Sequence, residues 1–85
     1  MRDFDAEISR LMQEDSEHAV NTYNTVKSRV EGLAELPHVG RPGRVPGTRE
    51  LVFPKLPYVI PYRVCDEVVQ VLRFFHTSRR PPTAW

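Results

Sequence analysis

The part of the chain that decides its fold is one run, Pro57-Tyr58-Val59-Ile60-Pro61-Tyr62-Arg63-Val64-Cys65. It is rich in β-branched and aromatic residues, which predicts a β-strand. Residues two apart share a face of a strand, so one face carries the apolar side chains Tyr58, Ile60, Tyr62 and Val64. Pro61 has no N–H to donate, so we expect a β-bulge at Pro61 or a missing neighbouring strand.

Two more β-rich runs lie on either side of this strand in the sequence, at residues 48–54 and 68–77. The connections, Lys55-Leu56 and Asp66-Glu67, are so short that the three strands should form an antiparallel meander. Regular alternation in the third strand places His76 on the same face as Gln70. Both faces are largely apolar, so we expect helices to cover one face, and a partner or a functional cleft to use part of the other.

Upstream of the strands, apolar residues recur at the spacing of two amphipathic helices. The first extends from residue 2 to about residue 13, with its apolar positions at Phe4, Ile8, Leu11 and Met12. Asp15 or Ser16 can cap the second, whose apolar stripe is Ala19, Tyr23, Val26, Val30 and Leu33, widened by Val20, Ala34 and Leu36. We therefore predict an α+β fold, a single domain of residues 1–85 in which an N-terminal helical hairpin packs on a C-terminal three-stranded antiparallel sheet.

A basic loop at residues 37–47 joins the helices to the sheet. Three prolines and three glycines among eleven residues should prevent both a helix and a regular strand. The spacing GxxxxGK[ST] is absent, which excludes a nucleotide-binding P-loop. Two interpretations stay open: a connector whose glycines adopt positive φ, or a loop whose Arg41 and Arg44 also contact RNA or a partner.

The charge of the chain changes sign near Pro37. Residues 1–36 carry eight acids and four bases, a net charge of −4, whereas residues 37–85 carry three acids and eight bases, a net charge of +5. Seven of those eight bases are arginine, whose guanidinium suits bidentate contacts to phosphate or carboxylate. We therefore look for function in the basic half.

The composition excludes several classes of protein. Cys65 is the only cysteine, which excludes an internal disulfide, and the three histidines form no zinc pattern with it, so neither a metal nor another cofactor is predicted. No serine–histidine–acid or cysteine–histidine arrangement is legible. No apolar run is long enough to span a membrane and no signal-peptide pattern is visible, so we expect a cytoplasmic protein without membrane association.

Three side chains in the basic half are candidate functional residues. Arg63 and Arg73 lie in otherwise apolar strands, where an unpaired guanidinium is costly to bury. Either Glu50 or a carboxylate of the acidic helices pairs with them, or both point into a cleft that receives a phosphate. His76 ends the third strand and is either structural or a general acid or base for phosphodiester cleavage.

The order of these elements resembles the RelE/ParE superfamily of bacterial toxins. The resemblance extends from about residue 3 to the end and is carried by the helical hairpin, Gly40-Arg41-Pro42-Gly43, Thr48-Arg49-Glu50-Leu51-Val52, the PYVIPYRV strand and Val71-Leu72-Arg73-Phe74-Phe75-His76. It implies the toxin of a type II toxin–antitoxin module, encoded beside an antitoxin that binds and neutralises it.

The superfamily contains two kinds of toxin. RelE-like members are mRNA interferases, endoribonucleases that enter the ribosome and cut mRNA, whereas ParE-like members keep the fold and inhibit DNA gyrase. Our leading hypothesis is an mRNA interferase with the ribosome and mRNA as partners. One alternative is a non-enzymatic gyrase inhibitor, favoured because Lys55 is the only lysine after Lys27 and the paired lysines of RelE-type sites are absent. Another is an inactive, truncated toxin that binds antitoxin.

Under the interferase hypothesis the resemblance implies a site in the second half of the chain. Arg63, Arg73 and His76 would be catalytic, and Glu50 would act as an acid or base. The RNA-binding residues would be Arg41, Arg44, Arg49, Lys55, Arg79 and Arg80.

Members of the superfamily usually begin with a β-strand, whereas this chain starts at the helix. We therefore expect the sheet to have an open edge. Either the chain is a truncated member, or an antitoxin or a second subunit supplies the strand, which would produce an oligomer. We also expect the antitoxin to use an acidic amphipathic segment that covers the basic face or the helical hairpin.

Overall fold

Two helices open the chain in the computed structural model, which describes residues 2–77. Helix α1 is Arg2–Glu14 and helix α2 is Ser16–Gly32. Asp15 separates them and is the N-cap of α2, because its carboxylate accepts a hydrogen bond of 3.1 Å from the backbone N–H of His18. The predicted helical hairpin and its cap are confirmed.

The rest of the described chain forms an antiparallel sheet. Its strands are β1 (Arg41–Pro42), β2 (Arg49–Val52), β3 (Tyr58–Cys65), β4 (Val68–Val71) and β5 (Phe75–His76). The order is β1-β2-β3-β4. Strand β5 pairs with β3 on the same side as β4, nearer the start of β3. The three predicted strands are confirmed, with the third divided into β4 and β5. Residues 37–47, predicted to form neither a helix nor a regular strand, contain the two-residue strand β1, because a short bridge at the side of the sheet tolerates a proline.

A β-bulge separates β4 from β5. Tyr62 lies opposite Val71 and Val59 lies opposite Phe75, so the three residues 72–74 face the two residues 60–61. The N–H of Leu72 donates to the carbonyl of Pro61 at 2.9 Å. The nitrogen of Pro61, which carries no hydrogen, therefore also faces the bulge. Of the two alternatives given for Pro61, the structure has the bulge, and it lies in the neighbouring strand opposite Pro61.

The core lies between the helices and one face of the sheet, which we call the helix-facing side. Its buried members are Phe4, Val26, Leu33, Leu51, Phe53, Tyr58, Ile60, Tyr62 and Phe74. The predicted stripe of α2 is confirmed at Ala19, Val26 and Leu33, which are buried, and wrong at Val20, Tyr23 and Leu36, which are exposed. The helix buries Thr22 as well. Met12 of α1 is exposed as well. No helix within residues 2–77 has the length and apolar character that crossing a membrane requires.

The strand alternation defines a second face, which we call the outer face and which no helix of the described chain covers. It comprises Glu50, Val52, Val59, Pro61, Arg63, Cys65, Val68, Gln70 and Phe75, assigned from the strand register. Within residues 2–77, β4 and β5 have β3 as their only neighbour, so their other side is an edge of the sheet.

We expect Ile60→Ala to lower the free energy of unfolding by about 2–5 kcal/mol, because Ile60 is fully buried at the centre of β3 and its removal leaves a cavity. Val52→Ala on the outer face, where Val52 is 36% exposed, should cost about 1 kcal/mol or less. Urea unfolding followed by circular dichroism measures both. Equal losses at the two positions would contradict the assignment of the core to the helix-facing side.

Candidate functional site

Arg63 is the exposed cation near the middle of the outer face. It lies on β3 opposite Gln70 of β4, and its Nε–H donates to Gln70 Oε1 at 2.6 Å. Neither Glu50 nor a helix carboxylate pairs with it among residues 2–77, so of the two alternatives left open for Arg63 the ion pair is not formed. A neutral amide orients the guanidinium without compensating its charge. Arg63 therefore presents a full positive charge on this face.

Glu50 anchors a second cation on the same face. Its side chain is 7% exposed, and its carboxylate accepts a hydrogen bond of 2.9 Å from Arg41 Nε and one of 3.3 Å from the backbone N–H of Arg44. The Arg41 side chain is 60% exposed, so one edge of its guanidinium is held while the rest reaches solvent. Pairing and hydrogen bonding satisfy the buried carboxylate, which is the condition for retaining a charge there.

Two side chains of the sheet hold the start of the basic loop. The Tyr62 hydroxyl donates to the carbonyl of Pro37 at 2.8 Å and accepts from the N–H of Gly40 at 2.9 Å. Arg49 Nη1 donates to the carbonyls of His38 and Gly40 at 3.1 and 2.9 Å. Arg49, predicted to bind RNA, therefore positions the loop from within the fold.

The glycines of this loop are required for two different reasons. Gly47 has a positive φ of 82°, as predicted. For Gly40 and Gly43 the prediction of positive φ is wrong; a Cβ on Gly40 would lie 2.6 Å from the Tyr62 hydroxyl, and one on Gly43 would meet Thr48. Close approach of the backbone to the sheet thus explains these two glycines, and the loop is an ordered part of the fold.

His76 lies on the other side of the sheet from Arg63. It is directly opposite Tyr58, whose ring it meets edge-on at 5.5 Å between centroids, and this pair belongs to the helix-facing side. Regular alternation would have placed His76 with Gln70 and Arg63, but the extra residue of the bulge reverses the faces beyond it. His76 is also far from Arg63 along the strand direction. Its partner Tyr58 lies five positions before Arg63 on β3, which is about 16 Å at about 3.3 Å per residue.

The remaining predicted residues are distributed around the sheet. Arg73 lies exposed in the bulge, Lys55 lies exposed in the loop between β2 and β3, and Arg44 lies exposed in the basic loop. Arg79 and Arg80 lie outside the described residues. The structure brings Arg41, Glu50 and Arg63 to one face and leaves His76 on the other. Within residues 2–77, no three His, Cys, Asp or Glu side chains are grouped closely enough to hold a metal ion.

Sequence reasoning missed a buried acid on α1. Glu7 is 5% exposed, accepts a hydrogen bond of 2.8 Å from the Tyr58 hydroxyl, and is paired with Arg10 at 2.7 Å. Its hydrogen bonds raise the pKa of the Arg10 guanidinium above its ordinary value. Glu7, Arg10 and His76 line one cavity of about 370 Å³. The signal was present in the sequence, because Glu7 stands three residues after Phe4 and four before Leu11, on the apolar stripe of α1.

Comparison with known proteins adds the following findings. Residues 1–81 match the family described as "ParE toxin of type II toxin-antitoxin system, parDE". A protein of Sinorhizobium fredii named "Putative toxin Y4kP" is 38% identical over 72 residues, which are 85% of this chain and 74% of that protein.

We expect Tyr62→Phe to lower the free energy of unfolding by about 1–3 kcal/mol, because the Gly40 N–H and the Pro37 carbonyl lose the hydroxyl between them. Tyr23→Phe is the control, since Tyr23 is 41% exposed, and it should change stability by less than about 0.5 kcal/mol. Chemical denaturation gives both values. A null effect of Tyr62→Phe would show that its hydroxyl does not hold the loop.

We expect Glu50→Ala to cost about 1–3 kcal/mol of stability and to speed amide hydrogen exchange in residues 41–48, because the carboxylate holds Arg41 and the Arg44 N–H. Glu35→Ala, which removes an exposed carboxylate beyond α2, should leave both measurements unchanged. Exchange followed by NMR would refute the anchoring role if the loop amides of the Glu50 variant remained as protected as before.

Proposed function

We propose that this chain, which belongs to the ParE toxin family and is the toxin of a type II toxin–antitoxin system, inhibits DNA gyrase by binding it and has no nuclease chemistry. The observation that carries the proposal is that Arg63 and His76, which an RNA-cleaving site would combine, lie on opposite faces of the sheet. A toxin of such a system has an antitoxin as its partner, and gyrase is the target that we assign.

Phosphodiester cleavage places strict demands on geometry. A general acid or base must lie within about 3 Å of the atom whose proton it moves, and a cation must contact the same phosphate. Arg63 and His76 are separated by the sheet itself and by about 16 Å along β3. One phosphate cannot contact both side chains in this arrangement, which supports a function without RNA cleavage.

The outer face has the composition of a surface that binds protein. Arg63 and Arg41 are exposed cations near its middle, and Val52, Val59 and Phe75 lie together towards one end, as cross-strand neighbours. Arginine beside apolar and aromatic side chains is typical of the residues that dominate protein–protein binding energy. The basic loop is held by Tyr62, Arg49 and Glu50, so little ordering cost should arise when it meets a target.

Cleavage of mRNA remains a second candidate because Arg41 and Arg63 share one face. Two cations on a common surface can contact successive phosphates of an RNA backbone. In that case the proton transfers would come from groups other than the pair Arg63 and His76.

We expect the purified chain to inhibit DNA supercoiling by gyrase, and we expect Arg63→Ala to raise the half-inhibitory concentration at least fivefold. Lys27→Ala is the matched control, because it removes an exposed cation from α2 on the opposite side of the protein, and it should inhibit like the parent chain. A supercoiling assay on relaxed plasmid gives the concentrations.

A parallel reaction distinguishes the two targets. In reconstituted translation followed by primer extension, the proposal predicts intact mRNA at concentrations that inhibit gyrase. Ribosome-dependent cuts without gyrase inhibition would overturn it and establish the interferase. Inactivity in both assays would also overturn it and would favour an inactive toxin that binds antitoxin.

A further inference from the structure

A groove on the helix-facing side lies between the end of α2 and the edge strand β4. It is a cavity of about 360 Å³, within the range of about 300–1,000 Å³ that binding cavities occupy. Its apolar wall is formed by Val30, Leu33, Ala34, Pro37, Val69 and Val71. It is separate from the outer face, because Val69 and Val71 point to the opposite side of β4 from Gln70.

Two carboxylates flank this apolar wall. Glu31 lies in the last turn of α2, and Glu67 lies in the turn between β3 and β4 with a φ of 66°. Among residues 2–77 neither carboxylate has an ion-pair partner. The tight two-residue turn fixes the position of Glu67, so the two acids stand at defined places beside an apolar surface.

The position of Glu31 is electrostatically unfavourable in the isolated chain. Carboxylates near the C-terminal end of a helix meet the negative end of its dipole, where cations are preferred. Arg29 is the basic residue of the same turn, but its guanidinium donates to the Val52 carbonyl at 3.2 Å and lies over the Phe53 ring at 5.1 Å. A cation supplied from outside would therefore be stabilised at Glu31 by both the carboxylate and the helix end.

We propose that this groove binds a segment of a partner protein in which an apolar side chain is flanked by arginine or lysine. The apolar residue would fill the space against Val69 and Val71, and the basic residues would pair with Glu31 and Glu67. Covering these carboxylates with a neutral or acidic segment would desolvate them without compensation, so the groove selects against such partners. This specificity is opposite in charge to that of the outer face, and it does not depend on the target bound there.

A peptide titration tests the proposal on the full chain. The probe is a synthetic twelve-residue peptide in which leucines alternate with arginines. Two control peptides replace either every arginine by glutamate or every leucine by alanine. With the ¹⁵N-labelled protein we expect saturable shift changes at the amides of Val30, Ala34, Val69 and Val71 for the probe, and at least tenfold weaker binding of each control peptide.

Variants of the chain connect the binding to the groove. We expect Glu31→Gln combined with Glu67→Gln to weaken probe binding at least fivefold, and Ala34→Leu, which fills the groove, to do the same. Glu35→Gln is the matched control, because it neutralises a nearby exposed carboxylate that does not line the groove, and it should bind the probe normally. All these positions are exposed, and a dispersed amide spectrum of each variant verifies its fold.

Three results would overturn the proposal: shift changes centred elsewhere, unchanged affinity in the double glutamine variant, or equal affinity for the alanine control peptide. The double variant should inhibit gyrase like the parent chain, so a failure here leaves the proposed function untouched.

Discussion

Two tyrosine hydroxyls on the buried face of β3 connect the sheet to the rest of the described chain. A buried phenol must find a hydrogen-bond partner, and each of these two finds one in a different part of the chain. Tyr58 binds Glu7 and so connects the sheet to α1, whereas Tyr62 binds Pro37 and Gly40 and so connects it to the basic loop. Since β3 also pairs with β2, β4 and β5, every described part of the sheet except β1 is attached directly to this strand.

The bulge opposite Pro61 has the largest consequence for function. Beyond the extra residue, the side chains of the strand exchange faces, so Phe74 enters the core against Phe4 and Tyr58, and His76 packs on Tyr58. An unbroken strand would instead have placed His76 on the outer face with Arg63. The bulge opposite Pro61, which lacks an N–H, therefore places His76 and Arg63 on different faces of the sheet.

The arginines of this chain have different structural roles, which the sequence alone does not distinguish. Arg10, Arg29 and Arg49 hold the fold together through a carboxylate or backbone carbonyls. Arg41 is half tied to Glu50, and Arg63 is oriented by an amide. Among residues 2–77, Arg41 and Arg63 carry exposed positive charge onto the outer face from paired strand positions. On the helix-facing side, Glu31 of α2 and Glu67 of the turn between β3 and β4 line the groove. The basic outer face and the acidic groove thus lie on opposite sides of the sheet.

The sequence by itself determined the helical hairpin, a cap at Asp15 or Ser16, the three strand regions and an irregularity of the sheet at Pro61, because these follow from local periodicity, capping and the chemistry of proline. It also pointed to Arg63 and Glu50 as residues of interest. Only the tertiary structure decided which partner each charged group meets: Glu50 with Arg41, Glu7 with Tyr58, Arg63 with Gln70. Those pairings join residues of different strands or of a helix and a strand, 51 positions apart in the case of Glu7 and Tyr58, and the face of His76 depends on a register shift of one residue. Alternation along one strand cannot reveal either, since both are set by how neighbouring strands and helices come together.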